Sequence, residues 1–418
     1  MKTKRLLLLF TTTGYNAEDF ARAAQKLGVE VVFGTDRCRV LNDPWRDAAI
    51  PLRFHRPEDS ARRVRKYAET HPIDAVIAVG DKPTVAASMI CKALNLPVNS
   101  PRAVQKCRNK FDFRNALRSS GLLAPGFRRF ALDRDPQKLL RHVQFPCVLK
   151  PLTLSASQGV IRADNAIQFR EAFHRIRRLL ETPAIRILKD PGNQYLLVED
   201  YIEGTEVALE GLLSKGRLRV LALFDKPDPL VGPFFEETIY VTPSRHSLPI
   251  QRRIASCARA AAQALGLRDG PVHAEFRINK RGVWILELAA RSIGGLCSRA
   301  LRFGTGVSLE ELIIRHALGM KTLSTQREAK AAGVLMLPIP GKGYLRSVEG
   351  MARARQVRGI QEVTITAKLG QKLVPWPEGS SYLGFIFART VSPEQAEKAL
   401  RTAHSKLSFE ISPELPVL

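Results

Sequence analysis

Nowhere in its 418 residues does this chain carry an apolar run long enough to span a bilayer, so no membrane helix is expected. The opening Met1-Lys2-Thr3-Lys4-Arg5-Leu6-Leu7-Leu8-Leu9-Phe10 imitates a signal peptide. Its apolar core is short, however, and runs into Thr11-Thr12-Thr13-Gly14 without a cleavage pattern, so it reads as a first buried strand. Cysteine is sparse, six in all (38, 91, 107, 147, 257 and 297), and none has Cys-x-x-Cys spacing. This argues against a thiolate zinc site or a disulfide framework and points to reduced thiols in a cytoplasmic protein. There is no Gly-x-Gly-x-x-Gly, hence no dinucleotide fingerprint, and no internal repeat or low-complexity tract. Acidic residues are in short supply: 40 Asp and Glu against 65 Lys and Arg leave a net charge of +25. Such an excess often marks nucleic-acid binding. Here it is dispersed, with Arg outnumbering Lys by about two to one. The densest groups, Arg62-Arg63-Val64-Arg65-Lys66 and Arg175-Ile176-Arg177-Arg178, fall on helical patterns without interleaved aromatics. Nucleic acid is not an expected partner; a basic surface that draws in small anions is.

The length suits two to three domains. Residues 1 to about 108 alternate strand and helix: Leu6–Phe10, Ala17–Leu27, Val29–Phe33, Pro57–Thr70, Ala75–Val79, Pro83–Leu94. That alternation predicts a Rossmann-like parallel sheet with helices on both faces. The turn Thr11–Gly14 could hold an anion or be plain turn chemistry, and Gly80-Asp81 lies at the carboxyl end of the third strand, where such folds take ligands. Residues 109–320 follow as a second unit, with a smaller subdomain at about 125–205 covered by an amphipathic helix, Ala166–Leu180. From about 321 to 418 a separate α+β cap is expected, with strands near Ala332–Leu337, Gln361–Thr366 and Tyr382–Arg389.

The chemistry concentrates in the middle of the chain. Phe145-Pro146-Cys147-Val148-Leu149-Lys150-Pro151 is an apolar strand that delivers one Lys, followed by the small-residue run Leu154-Ser155-Ala156-Ser157-Gln158-Gly159-Val160. Backbone N–H groups of such a loop can approach phosphate oxygens closely; the alternative is an ordinary turn. Tyr195 to Glu206 is a strand ending in a polar hinge that contains Glu199, Ile202 and Glu206, a form suited to adenine and ribose. Asn109-Lys110 opens a helix that supplies a second Lys. Finally, Glu275 in Gly270–Phe276 and Glu287 in Trp284–Arg291 lie on two strands joined by Asn279-Lys280-Arg281-Gly282. On one face of an antiparallel pair two carboxylates can stand close together, which is costly unless a cation lies between them, and hard oxygens suit Mg²⁺. Arg291, four residues on, is placed to hold a phosphate. The competing reading is two solvated strand carboxylates and a surface Arg.

In that order and at those separations, the segments from about Asn109 to about Gly319 resemble the ATP-grasp superfamily of carboxylate–amine ligases, on five linked motifs. The resemblance implies an N-terminal Rossmann-like domain, a central ATP-grasp fold with a mobile lid and a C-terminal ligase-associated domain. It implies that Lys110 and Lys150 contact the α- and β-phosphates of ATP. Ser155 to Gly159, including Ser157, would form the lid loop, Glu199 and Ile202 would bind adenine and Glu206 ribose. Glu275 and Glu287 would hold Mg²⁺, with Mn²⁺ as a substitute, and Arg291 would stabilise an acyl phosphate. Many members have Asn two residues after the second metal Glu, where this chain has Ala289, which leaves open whether one or two ions bind. Glu-x-Ala-x-Arg followed by Gly294-Gly295 resembles the L-amino acid ligase branch, which includes dipeptide synthetases.

The expected partners are therefore a small carboxylate and an amine, joined with release of ADP and phosphate; a homodimer is left open. Gly294-Gly295 could hold an oxyanion. Glu237, in Gly232–Glu237, could bind an α-ammonium group or belong to a surface acidic pair. His273 shares a strand face with Glu275 and could reach substrate or simply pack. The alternatives are a biotin-carboxylase-like or purine-pathway ligase of the same superfamily, and a basic ATP-binding or nucleic-acid-associated protein without catalysis.

Overall fold

The computed structural model describes residues 3–12, 14–36, 49–321 and 324–414; Thr13 and Cys38 lie outside them. Strands Ala49–Pro51, Glu30–Thr35, Arg5–Phe10 and Ala75–Ala78 form, in that order, a four-stranded parallel sheet. The leucine run at the chain start is a central strand. Leu6 and Leu8 point into one core and Leu7 and Leu9 into another, all fully buried, as expected of a strand covered on both faces. Helices Ala17–Lys26, Pro57–Ala68 and Thr84–Ala93 supply the cover.

The subdomain that follows is an antiparallel sheet of Phe127–Ala131, Tyr195–Asp200, Cys147–Pro151 and Ile161–Ala163. Helix Ala166–Glu181 closes one face, burying Phe169, Ala172, Phe173, Ile176, Leu179 and Leu180. These apolar positions recur at three- and four-residue spacing, which places them on one stripe.

The largest element is an eight-stranded antiparallel sheet. Its order is Gly282–Ala289, Gly270–Asn279, Thr205–Ser214, Arg217–Lys226, Ile239–Thr242, Ala331–Leu337, Gly384–Thr390 and Ile360–Ile365. Helix Leu248–Leu265 packs on it and ends at Gly266, whose φ of 83° suits a left-handed cap. The strands expected in the C-terminal α+β cap are found, three of them joined edge to edge with this sheet. Ala331–Leu337, Gly384–Thr390 and Ile360–Ile365 extend the central sheet, and a small sheet of Lys372–Leu373, Gly343–Glu349 and Ser408–Ser412 lies beyond. All seven residues of Ala331–Leu337 are buried, and the strand pairs with Ile239–Thr242 on one side and Gly384–Thr390 on the other. Among the described residues no helix is long and apolar enough to cross a membrane.

Candidate active site

A cleft of about 290 Å³ opens where the three sheets converge. The carboxyl end of the parallel sheet contributes Thr11, Gly80 and Asp81, the subdomain Lys150 and Ser155–Ser157, and the central sheet Glu206, Glu237, Glu275 and Glu287. The hairpin turns where the sequence pattern put it, with Asn279 opposite Gly282, a register that by itself would set Glu275 opposite Leu286. The pairing slips by one residue beyond Phe276 and Ile285, so Leu286 is bulged and Glu275 comes directly opposite Glu287. The bulge turns the Leu286 carbonyl toward Arg114, which donates to it at 2.8 Å.

The predicted phosphate residues meet in the cleft. The Lys110 ammonium donates to the Leu154 carbonyl at 2.6 Å, at the entry of the small-residue loop. Lys150 donates to Glu199 at 2.7 Å. The Glu199 carboxylate is deeply buried and also takes two bonds from Arg114, at 2.7 and 3.2 Å. Burial would raise its pKa, but Arg114 and Lys150 outweigh burial and hold it at about 2. Its side chain therefore fixes two cations, and the strand backbone and Ile202 are what it leaves for a ligand. Ile202 lines the cleft while its carbonyl accepts from Arg277 at 2.6 Å. Glu206 is bonded to Lys226 (2.8 Å) and Arg277 (3.0 Å).

Lys226 is a buried cation behind the cleft that the motifs missed. Its ammonium, buried, touches Glu237 and lies 2.8 Å from Glu206 and 3.2 Å from Glu275. The sequence signal was there: Val220-Leu221-Ala222-Leu223-Phe224-Asp225-Lys226 is an apolar strand delivering one Lys, as 145–150 is. Burial disfavours its charge, but the three carboxylates reverse that and raise its pKa well above the ordinary lysine value. Glu237 is pushed up to about 7, by burial first, with Lys226 opposing and Glu275 adding to it. Glu275 is held well below the usual carboxylate range, because Lys226 and His273 outweigh its desolvation.

His273 is buried between two carboxylates. Its Nδ1 meets Glu210 and its Nε2 lies 3.3 Å from Glu275. Glu210 in turn accepts the Ile293 N–H at 3.2 Å, which ties this chain of groups to the loop bearing Gly294 and Gly295. Both glycines line the cleft. Gly295 has φ 59°, and a Cβ there would lie 2.9 Å from the Phe385 ring, so this backbone approach requires glycine. Arg291 is clamped by Asp81 through two bonds of 2.9 Å, and its Nη1 donates to the Ser292 carbonyl. Tyr240, Tyr382, Cys297 and Met336 complete the cleft on the side of Glu237. Motifs gave no warning of this wall, because its members come from four separate elements.

The donor set fits a hard divalent cation. Glu275 and Glu287 are both half-buried, face each other across one sheet register and line the cleft. Oxygens of Glu206, Glu237 and Glu275 also lie within 4.8 Å of one another, but the Lys226 ammonium already contacts all three.

Residues 143–300 match the ATP-grasp domain, 21–98 the ATP-grasp N-terminal domain and 335–412 the L-amino acid ligase C-terminal domain 2. The crystal structure of L-amino acid ligase from Bacillus licheniformis superposes with a TM-score of 0.84 at 26% identity, covering 99% of this chain and all of that one. Alanine–anticapsin ligase of Bacillus subtilis is 24% identical over 62% of this chain, and human carnosine synthase 1 is 27% identical over 83%. The chain spans 56% and 43% of the length of those two relatives. With the three matched segments in order and the five motifs converging on one cleft, the chain belongs to the ATP-grasp superfamily, in its L-amino acid ligase branch.

Proposed function

We propose that this protein is an ADP-forming carbon–nitrogen ligase that activates an amino acid carboxylate as an acyl phosphate and joins it to the amine of a second amino acid. The observation that carries this is the meeting of Glu275, Glu287 and Arg291 with Lys110, Lys150 and the small-residue loop in one cleft. The relatives named for joining amino acids support the choice of substrate class.

A carboxylate resists attack because its charge repels nucleophiles and oxide is a poor leaving group. Conversion to an acyl phosphate supplies a good one. Lys110 and Lys150 would hold the phosphates of ATP, the second kept in place by Glu199. Glu275 and Glu287 would hold Mg²⁺, which when bound supplies positive charge to phosphoryl oxygens. Arg291 uses three of its five N–H groups on Asp81 and Ser292, which leaves two for the acyl phosphate and the oxyanion formed when the amine attacks. Gly294 and Gly295 bring backbone to the same place. Glu237, beside the aromatic wall of Tyr240 and Tyr382, would bind the α-ammonium of an amino acid, the bound cation drawing it to its charged form. The five described cysteines, all buried and free, support a reducing, cytoplasmic setting.

The test is phosphate release from Mg·ATP with pairs of amino acids, each scored with one member omitted. Release that needs both members and matches joined product is the expected result. Release that never depends on a second amino acid would overturn the reading.

A further inference from the structure

The loop read as the nucleotide lid has little packing of its own. Of Ser155, Ala156, Ser157, Gln158 and Gly159, only Gly159 is buried. Ala156 and Ser157 both adopt left-handed backbone, φ 55° and 54°, which non-glycine residues seldom hold unless their surroundings impose it. The surroundings come from a distant part of the chain. The Trp376 indole N–H donates to the Ala156 carbonyl at 2.9 Å. Gly159 N–H donates to the Pro377 carbonyl at 2.7 Å, and the Gln158 side-chain amide to the Glu378 carbonyl at 2.7 Å. Behind the loop, Arg175 on the covering helix grips the Glu378 carboxylate through both guanidinium edges, one bond being 2.9 Å. The same guanidinium lies 4.8 Å from the Phe234 ring centre. Four contacts thus tie the lid subdomain to residues 376–378.

The other side of that segment reaches the cleft. The Trp376 ring lies 4.8 Å from that of Tyr382, a cleft residue whose N–H donates to the Tyr15 hydroxyl at 3.3 Å. Tyr15 belongs to the N-terminal domain and lines the cleft as well. One segment therefore bears on both the lid loop and the wall beside Glu237.

We infer that Trp376 and Glu378 are positioning residues that catch the lid, so that the loop over the nucleotide and the wall of the amino acid pocket close as one unit. This rests on the reading of 154–160 as a nucleotide lid. The catch holds the loop in its phosphate-facing backbone form before ATP arrives, and afterwards keeps water from the activated carboxyl group. Water that does enter would attack the acyl phosphate, returning the free carboxylate and phosphate with no carbon–nitrogen bond made.

Three variants test this in the full chain: Trp376→Phe, which keeps a ring and removes the donor; Arg175→Glu; and Arg175→Glu combined with Glu378→Arg, which restores the ion pair reversed. The backbone bonds to 377 and 378 survive in all three. Hydrogen exchange at 154–160 without ligand should rise severalfold in the two single variants and return toward the unaltered rate in the double one. The KM for ATP should rise more than kcat falls, and phosphate released per joined product should exceed one. Unchanged loop exchange and unchanged KM in both single variants, in a chain that binds ATP, would overturn the catch and leave the proposed activity standing. Exchange raised evenly across the whole chain would also overturn it, since that reports a scaffold role only. An unaltered chain that binds no ATP would overturn the lid reading and the catch together.

Discussion

Arg291 and Asp81, 210 positions apart in sequence, face each other through two bonds of 2.9 Å. Asp81 follows strand Ala75–Ala78 at the carboxyl end of the parallel sheet. The N-terminal domain therefore orients an arginine that the central domain supplies. Arg291→Ala should lower kcat by two to three orders of magnitude, about 3–4 kcal/mol, while Mg·ATP still binds. Asp81→Asn should cost less, since it weakens the clamp and leaves the guanidinium. Glu287→Gln should lower kcat too, but with its Mg²⁺ dependence shifted to higher concentration. Steady-state kinetics across an Mg²⁺ series separates these; near-normal turnover in both Arg291→Ala and Glu287→Gln would remove the pair from the chemistry.

Lys150→Ala should weaken ATP binding strongly while the fold persists. Glu199 keeps both bonds from Arg114, so the loss falls on the nucleotide rather than on the core. Calorimetric titration with ATP and Mg²⁺ is the measurement, and equal affinity in the two proteins would take Lys150 out of the site.

Lys226→Met should destabilise the protein by about 3–5 kcal/mol, because it leaves Glu206, Glu237 and Glu275 clustered without their shared cation. Adding Glu237→Gln should recover part of that loss, since one of the three charges goes. Denaturant unfolding of both variants decides the matter; a loss under about 1 kcal/mol in Lys226→Met would mean the carboxylates find another partner.

Glu199 predicts a pH dependence. Its carboxyl is lowered from 4.5 to about 2 in the folded chain, so it releases its proton more readily there than when unfolded. Its stabilising contribution is complete above pH 4.5 and is lost as pH falls toward 2. Glu199→Gln should flatten the stability profile across that window and leave the slope above it unchanged. Unfolding midpoints at stepped acid pH test this, and parallel profiles for the two proteins would contradict it.

Much of the site was legible in short segments because its chemistry is locally encoded. The two-residue turn after Asn279 sets the hairpin that carries Glu275 and Glu287, although a bulge at Leu286 is what brings the two opposite each other. The strand period puts His273 on the face of Glu275. Lys150 could be read from an apolar strand ending in one cation. The same signature at Lys226 carries no site reading by itself, because nothing local says that three carboxylates will surround it. Glu199 shows the opposite limit. Its strand was readable, but Arg114 engages its side chain from a helix 85 positions earlier.

What the sequence determined on its own was the alternation that makes the first sheet parallel, the hairpin that carries the two carboxylates, and the order of the phosphate-binding segments. Each follows from side-chain periodicity or turn chemistry within a dozen residues. Only the tertiary structure decided that Asp81 clamps Arg291, that Ala331–Leu337 carries the C-terminal strands into the central sheet, and that Trp376 and Glu378 reach the lid loop. Those contacts join segments whose separation in the chain carries no periodic signal. They form because burying the apolar faces of three sheets against one another brings particular polar groups together, and each group buried there must find its partner.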